Sequence, residues 1–458
     1  MSPAPVRVVN PATETVLAEI PAQGAEEVDE AVARAGAAFP AWAALAPGDR
    51  ARLLRRFAEA VEAHTEELAL LETRNVGKPI TDSRGEMAMV AEVLHFYAGA
   101  VDKHRGATVP VAGGVDMTWH EPLGVVGAIV PWNFPAAIAS WKLGPALACG
   151  NTVVVKPSEL TPLSALRLAE LGLEAGLPPG VVQVVVGPGP GAGRALVEHP
   201  GVAKVSFTGS TEAGRDVMRR AAATLTPVTL ELGGKSATVV FADADLEGAA
   251  RAAPAAVFGN AGQDCCARSR ILVERPVFER FVTLLVEATA ALVVGDPEAE
   301  ATQMGPLVSA HQRARVAGFL DPEGADPVAG RGTVPGGPGW WFPPTVLAPV
   351  AGDRRVWREE IFGPVVAVAP FDDEAHAVAL ANDTPYGLSG SVWTRDGARA
   401  LRMARAVAAG VLSVNSNTSV RVATPFGGTR QSGFGRELGL EALAGYSQVK
   451  NVFVSTEA

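Results

Sequence analysis

The chain has 458 residues, 48% of them hydrophobic and 19% charged, with a formal net charge of −10 at pH 7. This length exceeds what one compact core accommodates, so two or three folded domains are predicted. The composition excludes a disordered chain, and the acidic balance excludes a broad basic surface for nucleic acid.

The sequence carries no clear targeting or disulfide signal. Its first residues, MSPAPVRVVN, lack a basic segment followed by a long apolar one, which predicts that there is no signal peptide. No apolar run has the length needed to cross a bilayer. Three cysteines in a chain of this size do not suggest a disulfide framework. These features predict a cytoplasmic protein with reduced thiols and no membrane partner.

The first half of the chain predicts helices and then a parallel sheet. Apolar residues recur every three or four positions in the first hundred residues, which predicts helices at residues 25–45, 47–74 and 82–105. Short extended runs between residues 114 and 130 predict a hairpin. Strand-like runs then alternate with helical segments, which predicts a parallel sheet with crossover helices. Its strands are predicted at residues 152–155, 181–186, 202–206 and 227–230.

A second alternating series begins near residue 236. Its strands are predicted at residues 237–241, 269–273, 364–368 and 411–415, so two successive α/β units fit the length. The Gly/Pro-rich residues 324–344 predict a surface loop. Residues 446–455 alternate like a strand, and such a terminal strand needs a partner edge.

Three residues could supply acyl-transfer chemistry, each with a plainer alternative. Cys265 lies between a helical segment and a strand, where a cysteine fits a nucleophile or, more commonly, a buried inert thiol. Glu231 ends a strand before two glycines, and fits a general base or a solvent-facing carboxylate. Asn133 is held between two prolines, and fits an oxyanion donor or a helix cap. The neighbouring Cys266 leaves open which sulfur reacts.

Two segments suit a dinucleotide. Lys156 and Glu159 directly follow a predicted strand, at the edge where α/β sheets bind ligands, and their charges could hold ribose hydroxyls. The segment FTGSTEAG, which begins at Phe207, follows another strand and opens a helix, so its backbone N–H groups could approach a phosphate. An ordinary tight turn is the alternative for this second segment.

Seven motifs, taken in order, resemble the aldehyde dehydrogenase superfamily over nearly the whole chain. They are PWNFP at Pro131, KPSE at Lys156, FTGSTEAG at Phe207, ELGGK at Glu231, GQDCCA at Gly262, EEIFGPV at Glu359 and PFGGTRQSGFGRELG at Pro425. The separation between Glu231 and Cys265 also agrees with that family. The register of the family's GQxC motif places the nucleophile at Cys265 rather than Cys266.

The resemblance implies a non-acylating dehydrogenase that converts an aldehyde to a carboxylic acid through a thioester. Cys265 would attack the aldehyde carbon, while the Asn133 side chain and the Cys265 backbone N–H hold the oxyanion. Glu231 would activate the water that hydrolyses the thioester, and Glu437 would relay protons with it. This chemistry requires no metal, and the sequence indicates no clustered set of His and Cys ligands.

The resemblance also implies an NAD site. Lys156 and Glu159 would hold the adenosine ribose. Ser210 would hold the pyrophosphate and Glu360 the nicotinamide ribose. The other implied residues of this site are Trp132, Ser158, Phe207, Gly209, Leu232, Gly233 and Phe362. Because a carboxylate would repel a 2′-phosphate, Glu159 predicts NAD as the preferred cofactor, with NADP as the alternative if its side chain turns away.

The implied substrate pocket is largely apolar and holds one acid. Its residues are Phe134, Ile138, Trp141, Asp264, Cys266, Val420 and Phe426. Asp264 could attract a cationic amino aldehyde or cap a local turn, whereas Arg268 and Arg421 would favour a semialdehyde carboxylate. On balance, amino aldehydes or general aliphatic and aromatic aldehydes are favoured over succinic semialdehyde. Because a carboxylate beside Cys265 would raise the pKa of its thiol, Asp264 is expected to face elsewhere.

Three rival functions fit the residues less well. An acylating dehydrogenase that passes the thioester to coenzyme A generally lacks the glutamate of ELGGK, whereas Glu231 is present. A reductase acting on an activated acid matches PWNFP and ELGGK poorly. A binding protein on a retired enzyme fold would have lost the cysteine, the asparagine or the glutamate.

The implied fold is α/β and aldehyde dehydrogenase-like. It comprises a Rossmann-type NAD-binding domain of residues 1–103 and 123–233, an α/β catalytic domain of residues 234–431, and a β-hairpin oligomerisation arm of residues 104–122 and 447–454. In the family, this arm extends the sheet of a neighbouring subunit and so removes an exposed edge. A homodimer or homotetramer is expected.

Overall fold

The structure is a computed structural model that describes residues 4–320 and 328–457. In chain order the helices are α1 (Ala25–Ala43), α2 (Pro47–Ala63), α3 (Thr65–Val76), α4 (Ile80–Ala100), α5 (Pro135–Ala148), α6 (Leu163–Glu174), α7 (Arg194–Glu198), α8 (Thr211–Ala221), α9 (Leu246–Phe258), α10 (Phe278–Ala290), α11 (Ala310–Ala317), α12 (Arg355–Arg358), α13 (Glu374–Asn382) and α14 (Gly397–Ala406). Within the described ranges, none of these helices combines the length and apolar character needed to cross a bilayer.

The strands form separate sheets with distinct surroundings. In chain order they are β1 (Val6–Val9), β2 (Val16–Ile20), β3 (Thr108–Val111), β4 (Gly114–Pro122), β5 (Val125–Ile129), β6 (Thr152–Lys156), β7 (Val182–Val184), β8 (Val202–Thr208), β9 (Val228–Glu231), β10 (Ala237–Val240), β11 (Arg270–Glu274), β12 (Val328–Arg331), β13 (Thr345–Leu347), β14 (Val365–Phe371), β15 (Ser389–Trp393), β16 (Val411–Val414), β17 (Gly433–Phe434) and β18 (Ser447–Ser455).

The first large sheet has the strand order β17-β9-β8-β5-β6-β7. All its strands except β17 run parallel, and β5 at its centre is buried throughout. Its alternate residues face two cores: Val126 packs with residues of α2, α4 and α5, whereas Val125 packs with residues of α1 and α7. Helices therefore cover both faces, which explains why the strand is apolar at every position.

The second large sheet has the order β12-β13-β14-β11-β10-β15-β16 and is parallel except for β12. Its central strands pack against α9, α10 and α13 in a separate hydrophobic core. Two parallel sheets covered by helices confirm the α/β class predicted from the alternation of elements.

A third sheet, with the order β18-β4-β3, stands apart from these two and is called the arm sheet here. Strand β18 pairs with β4 over nine residues, from Ser447↔Pro122 to Ser455↔Gly114. The predicted C-terminal strand is confirmed, and its partner is β4. Strand β18 lies at the edge of the sheet and exposes Val449 and Phe453.

Two helix predictions were wrong at their boundaries. The helix predicted at residues 47–74 is broken at His64, where the chain turns with φ −113° and ψ 19°. The His64 ring contacts the carbonyl oxygen of Ala60 at 2.8 Å, and the Thr65 hydroxyl donates to that of Glu62 at 2.9 Å. These local bonds compete with the helical ladder. The helix predicted at residues 82–105 ends earlier, as α4 ends at Ala100.

The hairpin predicted between residues 114 and 130 was also wrong. Strand β4 pairs with β3 and β18, whereas β5 belongs to the first large sheet. The chain crosses between the sheets at Gly124, where φ is +134° and Asn151 Oδ1 accepts the backbone N–H groups of Leu123 and Gly124. The fully apolar β5 suits a buried parallel strand, so pattern alone could have separated the two.

The remaining differences concern short strands. The first hundred residues also contain the antiparallel pair β1 and β2, which is too short and too exposed to give a strong periodic signal. Of the loop predicted at residues 324–344, residues 324–327 lie outside the described residues. Val328–Arg331 form β12 on the edge of the second large sheet, where a short strand needs little burial, and residues 332–344 are irregular as predicted.

Candidate active site

The candidate nucleophile and base lie where the two large sheets meet. Glu231 ends β9, Asn133 follows β5, and Cys265 lies between α9 and β11. Two cavities, of about 150 and 300 Å³, open on either side of this junction. Cys265 and Glu231 line both cavities, so a molecule in either one can reach the same sulfur and the same carboxyl group.

The turn before Cys265 is held in an unusual backbone conformation. Asn260, Ala261 and Gly262 have φ values of 49°, 54° and 71°. Positive φ costs about 1–2 kcal/mol for a residue with a side chain, so surrounding contacts must hold this turn. Gly262 is required there because a Cβ would lie 2.3 Å from the carbonyl oxygen of Gly363. The Gln263 amide donates to the Asn260 carbonyl at 3.0 Å.

Asn133 is tied to this same turn. Its side-chain nitrogen donates to the backbone carbonyl of Gln263 at 2.9 Å, and its own carbonyl accepts from Asn260 Nδ2 at 3.0 Å. Asn133 is buried and precedes α5 without capping it through its side chain. The amide therefore lies beside the nucleophile turn rather than acting as a helix cap.

Glu231 is buried, and neither of its carboxyl oxygens has a hydrogen-bond partner among the described residues. Burial, followed by the nearby Glu437 carboxyl, raises the pKa of Glu231 well above its usual range. The Lys142 ammonium opposes this shift. A buried carboxyl without partners is costly, and such groups occur where function requires them.

Glu437 lies behind Glu231 and outside the lining of both cavities. Its carboxylate forms a buried ion pair with Lys142 and also accepts from the Ser206 hydroxyl at 3.1 Å. The Lys142 ammonium donates to the same hydroxyl at 3.0 Å. These contacts hold a charged pair beside Glu231, away from solvent.

The expectation that Asp264 faces elsewhere was wrong. Asp264 lines the larger cavity, and its Oδ1 accepts the backbone N–H of Cys266 at 2.8 Å. A hydrogen bond with Cys266 and burial raise the pKa of the Cys265 thiol well above its usual range, and the Asp264 charge adds to this. The hydrogen bond from the Cys266 backbone N–H holds the Asp264 carboxylate where it lines the cavity. The sequence alone does not show this orientation.

The same turn also gathers three side chains that could ligate a metal, one Asp and two Cys rather than a set of His and Cys ligands. One carboxylate oxygen of Asp264 and the Sγ atoms of Cys265 and Cys266 all lie within 4.8 Å of one another. Adjacent residues gather these donors because the turn directs all three side chains to one side.

The smaller cavity contains many of the predicted cofactor residues. Those that line it are Trp132, Gly209, Ser210, Leu232, Gly233, Glu360 and Phe362. The Trp132 and Phe362 rings meet edge to face with centroids 5.1 Å apart. Glu360 Oε1 accepts the backbone N–H of Gly234 at 3.0 Å, and burial raises the pKa of Glu360 to about 7. A Cβ on Gly233 would lie 2.2 Å from this carboxylate.

Four predicted cofactor residues lie outside that lining: Lys156, Ser158, Glu159 and Phe207. Lys156 ends β6 and is buried, with its ammonium 3.4 Å from the half-exposed Glu159 carboxylate. Phe207 packs beneath Gly209, where a Cβ would lie 2.6 Å from the ring. Ser210 caps α8, its hydroxyl accepting the N–H of Ala213 at 3.2 Å.

The larger cavity is lined by every residue predicted for the substrate pocket. These are Phe134, Ile138, Trp141, Asp264, Cys266, Val420 and Phe426. The rings of Trp141 and Phe426 meet edge to face with centroids 5.1 Å apart. The cavity is therefore an aromatic chamber that reaches Cys265 at one end.

Sequence reasoning missed one of the three acids that line this chamber, Glu86 on α4. Burial raises the pKa of Glu86 to about 8, although the Lys78 ammonium, 2.5 Å away, opposes the shift. Lys78 also lies 4.4 Å from the centroid of the Phe134 ring. The available signal was the three-residue spacing of Glu86 and Met89, which places both side chains on one helix face that lines the cavity.

Two arginines considered as carboxylate anchors do not line the chamber. Arg268 is buried and donates to the carbonyl oxygen of Cys266 and the hydroxyl of Ser419. Arg268 therefore holds Cys266 and Ser419, which line the cavity, without lining it itself. Arg421 is exposed to solvent.

Comparison with known proteins agrees with this arrangement. Residues 2–452 match the model of the aldehyde dehydrogenase family. A betaine aldehyde dehydrogenase of Cereibacter sphaeroides is 44% identical over 455 residues, which cover 98% of this chain and 94% of that protein.

Two solved structures have the same fold throughout. PnpE from Pseudomonas sp. WBC-3 superposes with a TM-score of 0.97 at 44% identity, covering 99% of this chain and 95% of that one. An NAD+ complex of aldehyde dehydrogenase from Bacillus cereus gives a TM-score of 0.97 at 42% identity, covering 99% and 94%. The chain therefore belongs to the aldehyde dehydrogenase family and is an oxidoreductase that acts on aldehydes.

Proposed function

We propose that this protein oxidises an aldehyde to a carboxylic acid through a thioester on Cys265, which water then hydrolyses. The observation that carries the proposal is the position of Cys265 and Glu231, which line both cavities at once. A substrate in the larger cavity and a cofactor in the smaller one would meet at the Cys265 sulfur.

The first step is attack of the Cys265 thiolate on the aldehyde carbon. The resulting oxyanion needs donors, and the Asn133 amide carries two hydrogens, of which one is donated to the Gln263 carbonyl. The second hydrogen, together with the backbone N–H of Cys265, can hold the oxygen. Loss of a hydride from the same carbon then leaves a thioester on the sulfur.

Hydrolysis of the thioester needs a base, and Glu231 is the group that fits. Its raised pKa makes the Glu231 carboxylate a stronger base than an ordinary glutamate. The proton can pass to Glu437, whose pairing with Lys142 and Ser206 keeps a charged carboxylate within reach. The products are the carboxylic acid and the free thiol.

The cofactor is proposed to be NAD. When bound, NAD supplies the two-electron oxidant for the substrate carbon. Gly209 and Gly233 line the smaller cavity at positions where a Cβ would collide with Phe207 and with Glu360, so the backbone itself faces the proposed dinucleotide. Ser210 begins α8 at a site suited to phosphate, and Glu360 can hold ribose hydroxyls. The NAD+ complex of the Bacillus cereus relative supports NAD binding, and the preference for NAD over NADP rests on the Glu159 carboxylate beside Lys156.

The substrate is proposed to be a cationic amino aldehyde. Asp264 lines a chamber that also contains the aromatic rings of Phe134, Trp141 and Phe426, and aromatic faces and carboxylates together attract ammonium groups. The resemblance to betaine aldehyde dehydrogenases supports this class. Succinic semialdehyde fits less well, because neither arginine lines the cavity to bind its carboxylate: Arg268 donates to the Ser419 hydroxyl, and Arg421 is not part of the lining. Neutral aliphatic and aromatic aldehydes remain the alternative.

The arm sheet is proposed to join subunits into a homodimer or homotetramer. Its edge strand β18 exposes Val449 and Phe453, and an unpaired apolar edge is a surface that a second copy would cover. We assign residues 1–103 and 123–233 to the cofactor domain, 234–431 to the catalytic domain and 104–122 with 447–454 to the arm. The three free thiols suit the reducing cytoplasm.

The test is an assay of NADH and acid formation without coenzyme A. The aldehyde panel is 4-aminobutanal, betaine aldehyde, propanal, benzaldehyde and succinic semialdehyde. Cys265→Ala should lose at least about 1,000-fold in kcat, whereas Cys149→Ala, a cysteine outside both cavities, should retain activity. Unchanged oxidation by Cys265→Ala would refute the mechanism, and activity that requires coenzyme A would refute the hydrolytic role of Glu231.

The substrate class has its own test. Asp264→Asn should raise KM for 4-aminobutanal about tenfold, which corresponds to roughly 1.4 kcal/mol, and leave KM for propanal little changed. Equal effects on both aldehydes would show that Asp264 does not select for charge.

A further inference from the structure

The turn at the junction of the two cavities holds three metal-binding groups that the proposed reaction does not need together. One oxygen of Asp264 and the sulfurs of Cys265 and Cys266 lie within 4.8 Å of one another. Asp264 uses Oδ1 to accept the Cys266 N–H, and its second oxygen takes no part in that bond. Cys265 and Asp264 also line the larger cavity, so the cluster is reached from it.

The spacing of these donors suits a zinc ion better than a disulfide. Neighbouring Cα atoms are about 3.8 Å apart, which is shorter than the roughly 4.4–6.8 Å found across disulfides. Two Zn–S bonds of about 2.3 Å in a tetrahedral site separate the sulfurs by about 3.8 Å, and a Zn–O bond is about 2.1 Å. The donor atoms lie within 4.8 Å of one another, so a shift of about 1 Å would bring them to these separations.

We propose that Asp264, Cys265 and Cys266 bind Zn²⁺, or a thiophilic cation like it, and that the bound ion blocks Cys265 reversibly. Two sulfurs and one oxygen supply three ligands, and a water molecule from the cavity can take the fourth position. Binding replaces the two thiol protons, which leave to solvent. The Cys265 lone pair that would attack an aldehyde is then shared with the metal. This inhibition, though not the binding itself, rests on the proposed function.

Binding is tested on untagged, metal-free protein by competition with a chromophoric zinc chelator. The wild-type chain should bind one zinc ion at free concentrations below the micromolar range, and zinc should slow modification of the Cys265 and Cys266 thiols by Ellman's reagent. Cys266→Ser and Asp264→Asn should bind at least about tenfold more weakly. The matched control is Cys149→Ser, because Cys149 is a free cysteine outside both cavities, and it should bind like the wild type.

Inhibition is measured as the ratio of aldehyde oxidation with and without Zn²⁺ for each variant, and EDTA should restore the wild-type rate. No binding at micromolar free Zn²⁺, or equal affinity in Cys266→Ser, Asp264→Asn and wild type, would overturn the proposal. Zinc binding through these residues in a protein that oxidises no aldehyde would refute the proposed function and leave the site standing. Aldehyde oxidation by a protein that binds no zinc would refute the zinc site and leave the proposed function standing.

Discussion

The Asn133 side-chain nitrogen donates a hydrogen bond to the backbone carbonyl of Gln263, two residues before Cys265, at 2.9 Å. This bond joins the loop after β5 to the turn that carries the nucleophile. The second amide hydrogen takes no part in this bond, and Asn133 and Cys265 both line the smaller cavity. The proposed oxyanion donor and the proposed nucleophile are therefore held as one unit.

Replacing Asn133 with Ala should lower kcat about 100- to 1,000-fold, the usual loss when one oxyanion donor is removed. Asn151→Ala is the matched control, because its buried amide bonds to the carbonyl oxygens of Ala146 and Tyr446 outside both cavities. That variant should lower the thermal midpoint without a comparable loss of kcat. Equal losses of kcat in both variants would assign Asn133 a structural role only.

Glu231→Gln should separate the two halves of the reaction. The substitution removes the base that activates water, so steady-state turnover should fall about 100- to 1,000-fold. The first turnover does not need that base, so a rapid burst of about one NADH per active site should persist. Stopped-flow absorbance measures both phases, and loss of the burst would mean that Glu231 acts before the thioester forms.

Glu231→Gln should also stabilise the fold at pH values above the pKa that the Glu231 carboxyl has in the unfolded chain. The folded-state pKa of Glu231 is raised, so the unfolded chain is favoured as pH rises and its carboxyl ionises freely. Glu231→Gln should therefore raise the thermal midpoint at pH 8 and leave it nearly unchanged at pH 4. A lower midpoint at pH 8 would contradict the assigned shift.

The residues at the reacting centre could be predicted because each lies in a short motif that resembles the aldehyde dehydrogenase family, whereas the residues alone left a plainer alternative for each. Cys265 follows a turn that needs Gly262, and Asn133 is fixed by prolines on either side. Such local constraints are visible in a sequence. The parallel sheets were predictable because buried strand-like runs such as β6 alternate with helical segments along the chain.

Contacts between distant segments were not predictable. Lys142 and Glu437 are 295 positions apart and meet only because α5 packs beneath the segment after β17. Glu86 lines the larger cavity through the packing of α4, and its spacing from Met89 indicates a shared helix face but not what that face contacts. The direction of Asp264 depends on one hydrogen bond to the Cys266 backbone. Tertiary packing determines these contacts and side-chain orientations, and local sequence does not.

Asp264→Asn should change the pH dependence as well as the substrate preference. The Asp264 charge contributes to the raised pKa of the Cys265 thiol, so the active thiolate forms only as pH rises. Removing that charge should move the acidic limb of kcat/KM for propanal to lower pH. Asn keeps an oxygen that can accept the Cys266 N–H, so the turn should persist. If the acidic limb of kcat/KM stays at the same pH, the Asp264 charge does not raise the pKa of the Cys265 thiol.

Glu159→Gln should relax the cofactor preference. The carboxylate lies 3.4 Å from the Lys156 ammonium, and its negative charge would repel a 2′-phosphate. The ratio of kcat/KM for NADP to that for NAD should rise at least about tenfold, while the neighbouring Lys156→Met should weaken both cofactors. A ratio that stays at the wild-type value would show that residues other than Glu159 select NAD over NADP.

Charge on the arm sheet should disrupt assembly. Val449 and Phe453 lie on one face of β18 because strand residues four apart point the same way, and both are more than half exposed, at 64% and 52%. Val449→Glu with Phe453→Glu should lower the mass observed by sedimentation velocity to that of a monomer, since buried unpaired carboxylates oppose association. Leu401→Glu is the control, because Leu401 is 69% exposed on α14, away from the arm. A double variant that sediments like the wild type would show that subunits meet through another surface, whereas dissociation with aldehyde oxidation retained would show that each active site is complete within one chain.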